Sequence, residues 1–423
     1  MIKPAVRFLV CSDVHYEDEM TSARERFEKF VQLGYELAER CSEYPKLDAV
    51  YICGDFTDFG TLKQFSAFQE SLQRVIRPDT IVVPVLGGHE HFHVVGEDAT
   101  DIHALTDMRS PYFQSILQKP SYAEKRLRSI LKSEPNRHEV INGFHFISVS
   151  GMRTYDQWFD SYSKDNVDWV VNEVQKASDA APHRPVFLFH HRPIAQTIYG
   201  ERSWGGWEFC LPLANFPQIV DFSGHSHVPC TDPRSIYQRD FTCVGTGAIK
   251  CILHDDSHAS GWSDEDSVKA SQGLMVEADN NGTVCIRVID VVEGVVRNER
   301  IIKEPWNPDT FVYTEQRLRD EAASSFPSDA RIVTSVCENS IQITFPQAIG
   351  ETAQYVLTLR YADNGLVAKR KTVWSKQTLL DFPQKIIVNF TDVSSGNYVI
   401  EIEPKGYFGT LGNKISELVF VAN

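Results

Sequence analysis

The nine cysteines include no C-x-x-C pair, no apolar run is long enough to cross a bilayer, and there is no long basic tract or internal repeat. An odd cysteine count without paired spacing excludes a zinc knuckle and argues against a closed disulfide framework. Buried thiols in a reducing cytoplasm are expected instead, so the sequons at Asn281 and Asn389 carry little weight. The opening MIKPAVRFLVCSDVHYEDEM reaches acidic residues after a few apolar ones, and neither a signal peptide nor a membrane span is expected from it. Basic residues are outnumbered, 42 against 57, for a net charge of −15. The imbalance is uneven, since residues before Phe311 carry 45 acidic and 31 basic side chains. Such an acidic body suits neither nucleic acid nor an anionic membrane, and no partner of either kind is expected. It suits a protein that gathers carboxylates around cations.

What is present is a soluble-protein composition over 423 residues, long enough for two domains. Short β-branched runs (VRFLVC, LDAVYIC, TIVVPVLG) alternate with stretches of helical period at Ser22–Cys41 and Leu62–Val75. FHFISVSG, a helix over Lys164–Ala177, RPVFLFH and IVDFSGHSH continue the alternation. This predicts an α/β (α+β) layered fold with buried strands. After Tyr237 the texture turns to strand, and the D-N-N-G step in GLMVEADNNGTVCIRVID marks a hairpin. A first domain over 1–302, a proline-bearing linker over 303–328 with a short helix near Glu315–Ala323, and an all-β sandwich over 329–423 are expected.

Chemistry-bearing residues cluster where the strands end: Asp13-Val14-His15, GDFTD (Gly54–Asp58), GGHE (Gly87–Glu90), HHRP (His190–Pro193) and GHSH (Gly224–His227). In open α/β folds ligands bind beyond the carboxyl ends of strands, so these five segments are expected to converge. Within an extended D-x-H or H-x-H segment the strand period sends both side chains to one side. Carboxylate and imidazole without thiolate suit Mn²⁺, Fe or Zn²⁺.

In this order the motifs resemble those of calcineurin-like metallophosphoesterases, whose pattern is D-x-H, G-D-x-x-D, G-N-H-[DE], a lone histidine and G-H-x-H. The resemblance covers roughly residues 6–300. It implies a two-sheet β-sandwich flanked by helices and two divalent metal ions (Mn, Fe or Zn). It implies that Asp13, His15 and His227 hold the first metal, that Asp55 bridges, and that His225 and His191 hold the second. His191 is favoured because Pro193 follows two residues on; His190 is the alternative. His89 takes the place of the catalytic histidine, with Asp58 and Glu90 orienting its ring. The activity implied is hydrolysis of a small phosphodiester or phosphomonoester by in-line attack of a metal-bridging hydroxide, His89 stabilising or protonating the leaving group.

One position departs from the pattern. Gly88 stands where the family has a metal-binding asparagine, so the second metal is expected to be held weakly. The alternatives are that His91 or His93 replaces the missing ligand, or that the chain is a non-catalytic or single-metal scaffold. The loop Gln196–Cys210, with Trp204, Trp207 and Arg202, reads as a lid over substrate; Arg202 is the candidate phosphate ligand, Arg192 and Arg153 weaker ones. The late segment GNYVIEIEPKGYFGTLGNKIS resembles the last strands of fibronectin type III domains. That domain shows no catalytic cluster and is a candidate surface for a protein partner.

Overall fold

Period-two alternation in the first strand, β1 (Pro4–Cys11), sends Val6, Phe8 and Val10 into one core and Leu9 and Cys11 into another. Both faces are buried, so a layer must lie on each side. The computed structural model describes residues 2–18, 22–92, 122–153, 160–200, 205–253 and 269–422. After β1 come α1 (Ser22–Glu39), β2 (Ala49–Cys53), α2 (Leu62–Val75), β3 (Ile81–Val85), α3 (Ala123–Ser129), β4 (Asn136–Ile141) and β5 (Phe144–Val149). β6 (Met152–Arg153), β7 (Asp160–Ser161), α4 (Lys164–Ala180), β8 (Val186–His190), β9 (Ile219–Ser223), β10 (Ile236–Gln238) and β11 (Thr242–Gly245) follow. The unit ends on β12 (Gln272–Asp279), β13 (Val284–Asp290) and β14 (Val295–Ile302).

Of these strands β6 and β7 pair with each other, and the other twelve form two six-stranded sheets. One has the order β14-β13-β12-β1-β2-β3, with β1, β2 and β3 parallel. The other has the order β10-β11-β9-β8-β5-β4, with β11, β9, β8 and β5 parallel. Their facing sides share one core, in which the Phe8 ring lies 4.8 Å from Phe187 and 5.0 Å from Phe146. Phe27, Phe30 and Val31 of α1 and Phe65 and Phe68 of α2 cover the outer side of the first sheet. Val170, Val174 and Ala177, spaced as one helical face, set α4 against the second. Side-chain caps define where two helices begin: Thr61 accepts from the Gln64 amide and Ser163 from the Asn166 amide. The chain is thus an α/β (α+β) protein whose first unit is a two-sheet sandwich flanked by helices. The expected hairpin joins β12 to β13, with Gly282 at φ +78° and the Asp279 carboxylate accepting from the Asn281 and Thr283 amides.

Contacts divide the chain at Thr314/Glu315, within the segment 303–328 that reads as a linker. Its first part belongs to the first unit, where the Tyr313 carbonyl accepts from the Gln238 amide. Its second part, with α5 (Arg317–Asp320), belongs to the second unit, where the Glu321 carboxylate accepts from the Phe408 and Thr410 amides. The second unit is all β apart from α5: β15 (Val333–Cys337), β16 (Ser340–Pro346), β17 (Gln354–Tyr361), β18 (Val367–Trp374), β19 (Lys385–Phe390), β20 (Gly396–Lys405) and β21 (Ile415–Val421). A three-stranded sheet, β15-β16-β19, and a four-stranded sheet, β18-β17-β20-β21, share one core. Alternate residues such as Ile341, Ile343, Phe345 and Ile386, Val388, Phe390 supply it. Among the described residues no helix is long and apolar enough to cross a membrane.

Candidate metal centre

The segments leaving β1, β2, β3, β8 and β9 meet at the carboxyl ends of the parallel strands. Asp13 and His15 follow β1, Asp55 and Asp58 follow β2, His89 follows β3, His191 follows β8, and His225 and His227 follow β9. Backbone hydrogen bonds tie the loops together: Asp13 N to Gly54 O (3.0 Å), His15 N to Asp55 O (2.9 Å) and Gly224 N to His191 O (2.9 Å). The extended geometry expected for D-x-H and H-x-H does not occur. Asp13, His15, Asp55, His225 and His227 all have positive φ, between 49° and 70°. Side chains converge because each residue turns in the left-handed region, which costs about 1–3 kcal/mol apiece and persists only where surrounding contacts impose it. Gly54, at φ +83°, lies so close to the His191 ring that a Cβ there would collide with it.

Three groups of donor atoms result, each lying within 4.8 Å: Asp13, His15 and His227; Asp55, His191 and His225; and His15, Asp55 and His89. Asp55 belongs to two of them. His227 Nε2 lies 3.2 Å from Asp13 Oδ1 and 3.2 Å from His15 Nε2. His191 Nε2 lies 3.0 Å from Asp55 Oδ2 and 3.1 Å from His225 Nδ1. The rings are held from behind. His191 Nδ1 donates to the Cys53 carbonyl (2.7 Å) and His227 Nδ1 to the Cys251 carbonyl (3.0 Å). His15 Nδ1 donates to Asp58 Oδ1 (3.1 Å). These partners assign the proton to Nδ1 and leave the Nε2 lone pair facing inward, the tautomer a metal ligand needs.

Electrostatics keep most donors in their ligating forms. Burial would raise the Asp13 carboxyl, but the charge and hydrogen bond of His227 outweigh it and bring it to about 2. Asp55 is likewise well below the usual carboxylate range, burial being outweighed chiefly by His191. Burial, reinforced by His89, lowers His15 to about 4, and burial with His191 lowers His225 strongly. His227 is the exception: burial would lower it, yet Asp13 lifts it to about 10, so a proton occupies the place where a cation would compete. The residues fit a divalent metal by their chemistry, by their converging lone pairs, and by the buried Asp13 Oδ1, which faces His227 Nε2 at 3.2 Å within one donor group.

Other residues singled out from sequence have different placements. His190 lies in none of the three groups. It is fully buried, with Nε2 2.6 Å from Asp221 Oδ1 and its ring packed on Phe209 and Tyr162. Asp58 orients His89 through its backbone, the carbonyl accepting from Nδ1 at 2.7 Å, while its carboxylate holds His15. Glu90 makes no hydrogen bond to the His89 ring. Its buried carboxylate accepts from the amides of Asp55 (3.0 Å), Thr57 (2.7 Å) and Gly87 (2.7 Å) and from the Thr57 hydroxyl (2.9 Å), fastening the β2 and β3 loops. His91 is buried with Nε2 3.0 Å from the Gly151 carbonyl, and it joins none of the donor groups. Gly88 adopts ordinary helical angles, φ −65° and ψ −42°, which any residue can take. Arg202, Trp204, His93 and the side chain of Arg153 lie outside the described residues. Arg192 donates to the Gly205 carbonyl (3.1 Å), and Trp207 is exposed. One residue escaped sequence reasoning altogether: Lys250, whose Nζ lies 3.1 Å from Asp58 Oδ1 and 2.9 Å from Glu17 Oε1. A lone lysine with no motif around it carries no signal.

Among solved structures, the chain is similar to a purple acid phosphatase from yellow lupin (Lupinus luteus) seeds. Identity is 13% and the TM-score 0.44; the match spans 71% of this chain but only 55% of the lupin one. The fn3 domain of human collagen alpha-1(XX) is 18% identical over 24% of this chain and 89% of that domain, with a TM-score of 0.18. A two-domain fibronectin type III segment of chicken tenascin is 13% identical over 33% of this chain and 65% of its own, with a TM-score of 0.20. No curated protein matches the chain. The model for calcineurin-like phosphoesterases matches residues 6–229, over half of the sequence and every segment that supplies the site, and the chain belongs to that family.

Proposed function

We propose that the protein is a metal-dependent hydrolase of a small phosphomonoester or phosphodiester. Asp55, shared between donor groups with His89 beside it, is the observation that carries this reading. Asp13, His15, His227 and Asp55 would hold one divalent ion, and Asp55, His191 and His225 the other, with Mn, Fe and Zn suited to the donor set. When bound, such a pair supplies Lewis acidity to the phosphoryl oxygens and makes water acidic enough to attack near neutral pH. His89 is the group left to handle a proton. Its Nδ1 is committed to the Asp58 carbonyl, so Nε2 is the atom that donates to the leaving oxygen. The ring is 25% exposed, whereas His15, His191 and His227 are buried. Asp58 and Glu90 hold the loops that aim it. The net negative body favours a small substrate over a nucleic acid. All nine cysteines are unpaired and seven are buried, which supports a reducing, cytoplasmic setting.

The direct test is turnover of 4-nitrophenyl phosphate and bis(4-nitrophenyl) phosphate in Mn²⁺, Fe²⁺, Co²⁺ or Zn²⁺, alongside metal content. Hydrolysis with two ions per chain is expected; no turnover in any of the four metals sinks the enzyme reading. Gly88 favours a second reading, a single-metal or non-catalytic scaffold with the β-sandwich as its partner surface. Gly88→Asn tests the observation behind that second reading. Its backbone angles admit asparagine, and the amide oxygen is expected to tighten the weaker Mn²⁺ about tenfold or more. Unchanged binding of the second ion in that variant counts against Gly88 as the weak point.

A further inference from the structure

We infer that Lys250 is a positioning residue of the first metal site, acting through Asp58; the inference rests on the proposed metal-dependent reading. Lys250 lies beyond residues 6–229, the stretch matched by the family model, so no motif assigns it a role. Its backbone is built into the site: the Lys250 amide donates to the Asp13 carbonyl (3.0 Å), and the preceding Ile249 amide donates to the Ser12 carbonyl (3.2 Å). The following residue, Cys251, supplies the carbonyl that holds His227 Nδ1. The side chain then folds over Asp58, placing Nζ 3.1 Å from the same Oδ1 that accepts from His15 Nδ1. Glu17, two residues after His15, grips Nζ from the other side at 2.9 Å.

Asp58 is therefore a branch point. Its carboxylate fixes the His15 tautomer, its carbonyl fixes His89, and Lys250 supplies the positive charge that keeps the carboxylate in place. That charge matters because the Asp58 carboxylate is largely buried, and an anion there without its cation is left uncompensated. With Lys250 three-quarters buried, its ammonium acts where solvent screens little. Without it, Asp58 is free to rotate from His15, and the ring loses the partner that aims Nε2 inward. Loss of such an outer partner typically costs 10–100-fold in metal affinity or activity.

The test compares wild type with Lys250→Met, Lys250→Gln and Lys250→Arg, by Mn²⁺ titration and by kcat and KM on bis(4-nitrophenyl) phosphate. Met and Gln are expected to weaken the tighter Mn²⁺ by about tenfold or more and to lower kcat, with KM within about twofold. Arg is expected to restore both. Folded Met or Gln variants with wild-type Mn²⁺ affinity overturn the inference. So does a rise in KM with Mn²⁺ binding intact, the signature of a lysine that grips the ester itself. Should Lys250→Met not fold, the Gln variant and the Arg rescue decide. Wild type that binds Mn²⁺ but hydrolyses neither ester sinks the hydrolase reading alone, because the titration still reads the lysine.

Discussion

Asp55→Asn is expected to lower kcat/KM on nitrophenyl esters at least about 10³-fold and to strip the chain of one or both metals. The residue is buried, and its two oxygens do different work. Oδ2 lies 3.0 Å from His191 Nε2, and Oδ1 accepts from the His89 amide at 2.9 Å. Asparagine keeps the shape but removes the negative charge and turns one oxygen into a donor. Whichever way the amide is flipped, it faces either the His89 N–H or the metal-binding side with the wrong group. The stability readout depends on metal. Metal-free, the variant loses a buried carboxylate that its neighbours hold in the ionised form, and it is expected to melt lower than wild type. With Mn²⁺ added, wild type gains stability by mass action and the variant gains little. Melting with and without metal, together with metal content, checks the claim. Two tightly held ions and normal turnover in the variant sink the shared-carboxylate assignment.

The fold was legible in the sequence where its physics is local. Helices α1, α2 and α4 were readable from their apolar spacing, and α2 has the expected bounds, Leu62–Val75. Strands buried on both faces announced themselves as continuous apolar runs. Among the strands left unmarked, β4 (NRHEVI) and β14 (VVRNERII) each close one edge of a sheet. Their charges and exposed positions suit an edge and disguise a strand. Which strand pairs with which is non-local, and the two-sheet arrangement came from the family resemblance rather than from any pattern of residues.

At the site, residue types and their order were legible, while their geometry was not. The resemblance pointed to Asp13, His15, Asp55, His191, His225 and His227, and the fold brings these six together in shared donor groups. Nothing local signals that five of them occupy left-handed backbone, because tertiary hydrogen bonds impose that conformation. His190 and His191 differ by one step along the chain, and that step sends one ring into the core beside Asp221 and the other toward Asp55. Glu90 shows the same limit. Beside a catalytic-looking histidine it reads as that histidine's partner, yet its carboxylate reaches back to four donors of the neighbouring loops.

His89→Ala is the second large effect, and it separates two roles that the structure brings close. The ring sits edge-on to His15, 4.5 Å between centroids, and its Nε2 lies 3.9 Å from Asp55 Oδ2. As a proton donor, His89 is expected to contribute about 10²–10⁴-fold to kcat. The loss should depend on the ester. A nitrophenolate leaves readily without a proton, so the variant suffers least there, and most with an alkyl or unsubstituted phenyl ester whose leaving oxygen is basic. Metal content should stay at the wild-type value, since Asp13, His15, His227, Asp55, His191 and His225 remain. If His89 is instead a ligand, as its place in the third donor group allows, the alanine variant loses metal, and its rate falls equally for good and poor leaving groups. The slope of log kcat against leaving-group pKa, measured at saturating Mn²⁺, therefore identifies the role. A steeper slope with metal retained is the result expected of a proton donor held at Nδ1 by the Asp58 carbonyl.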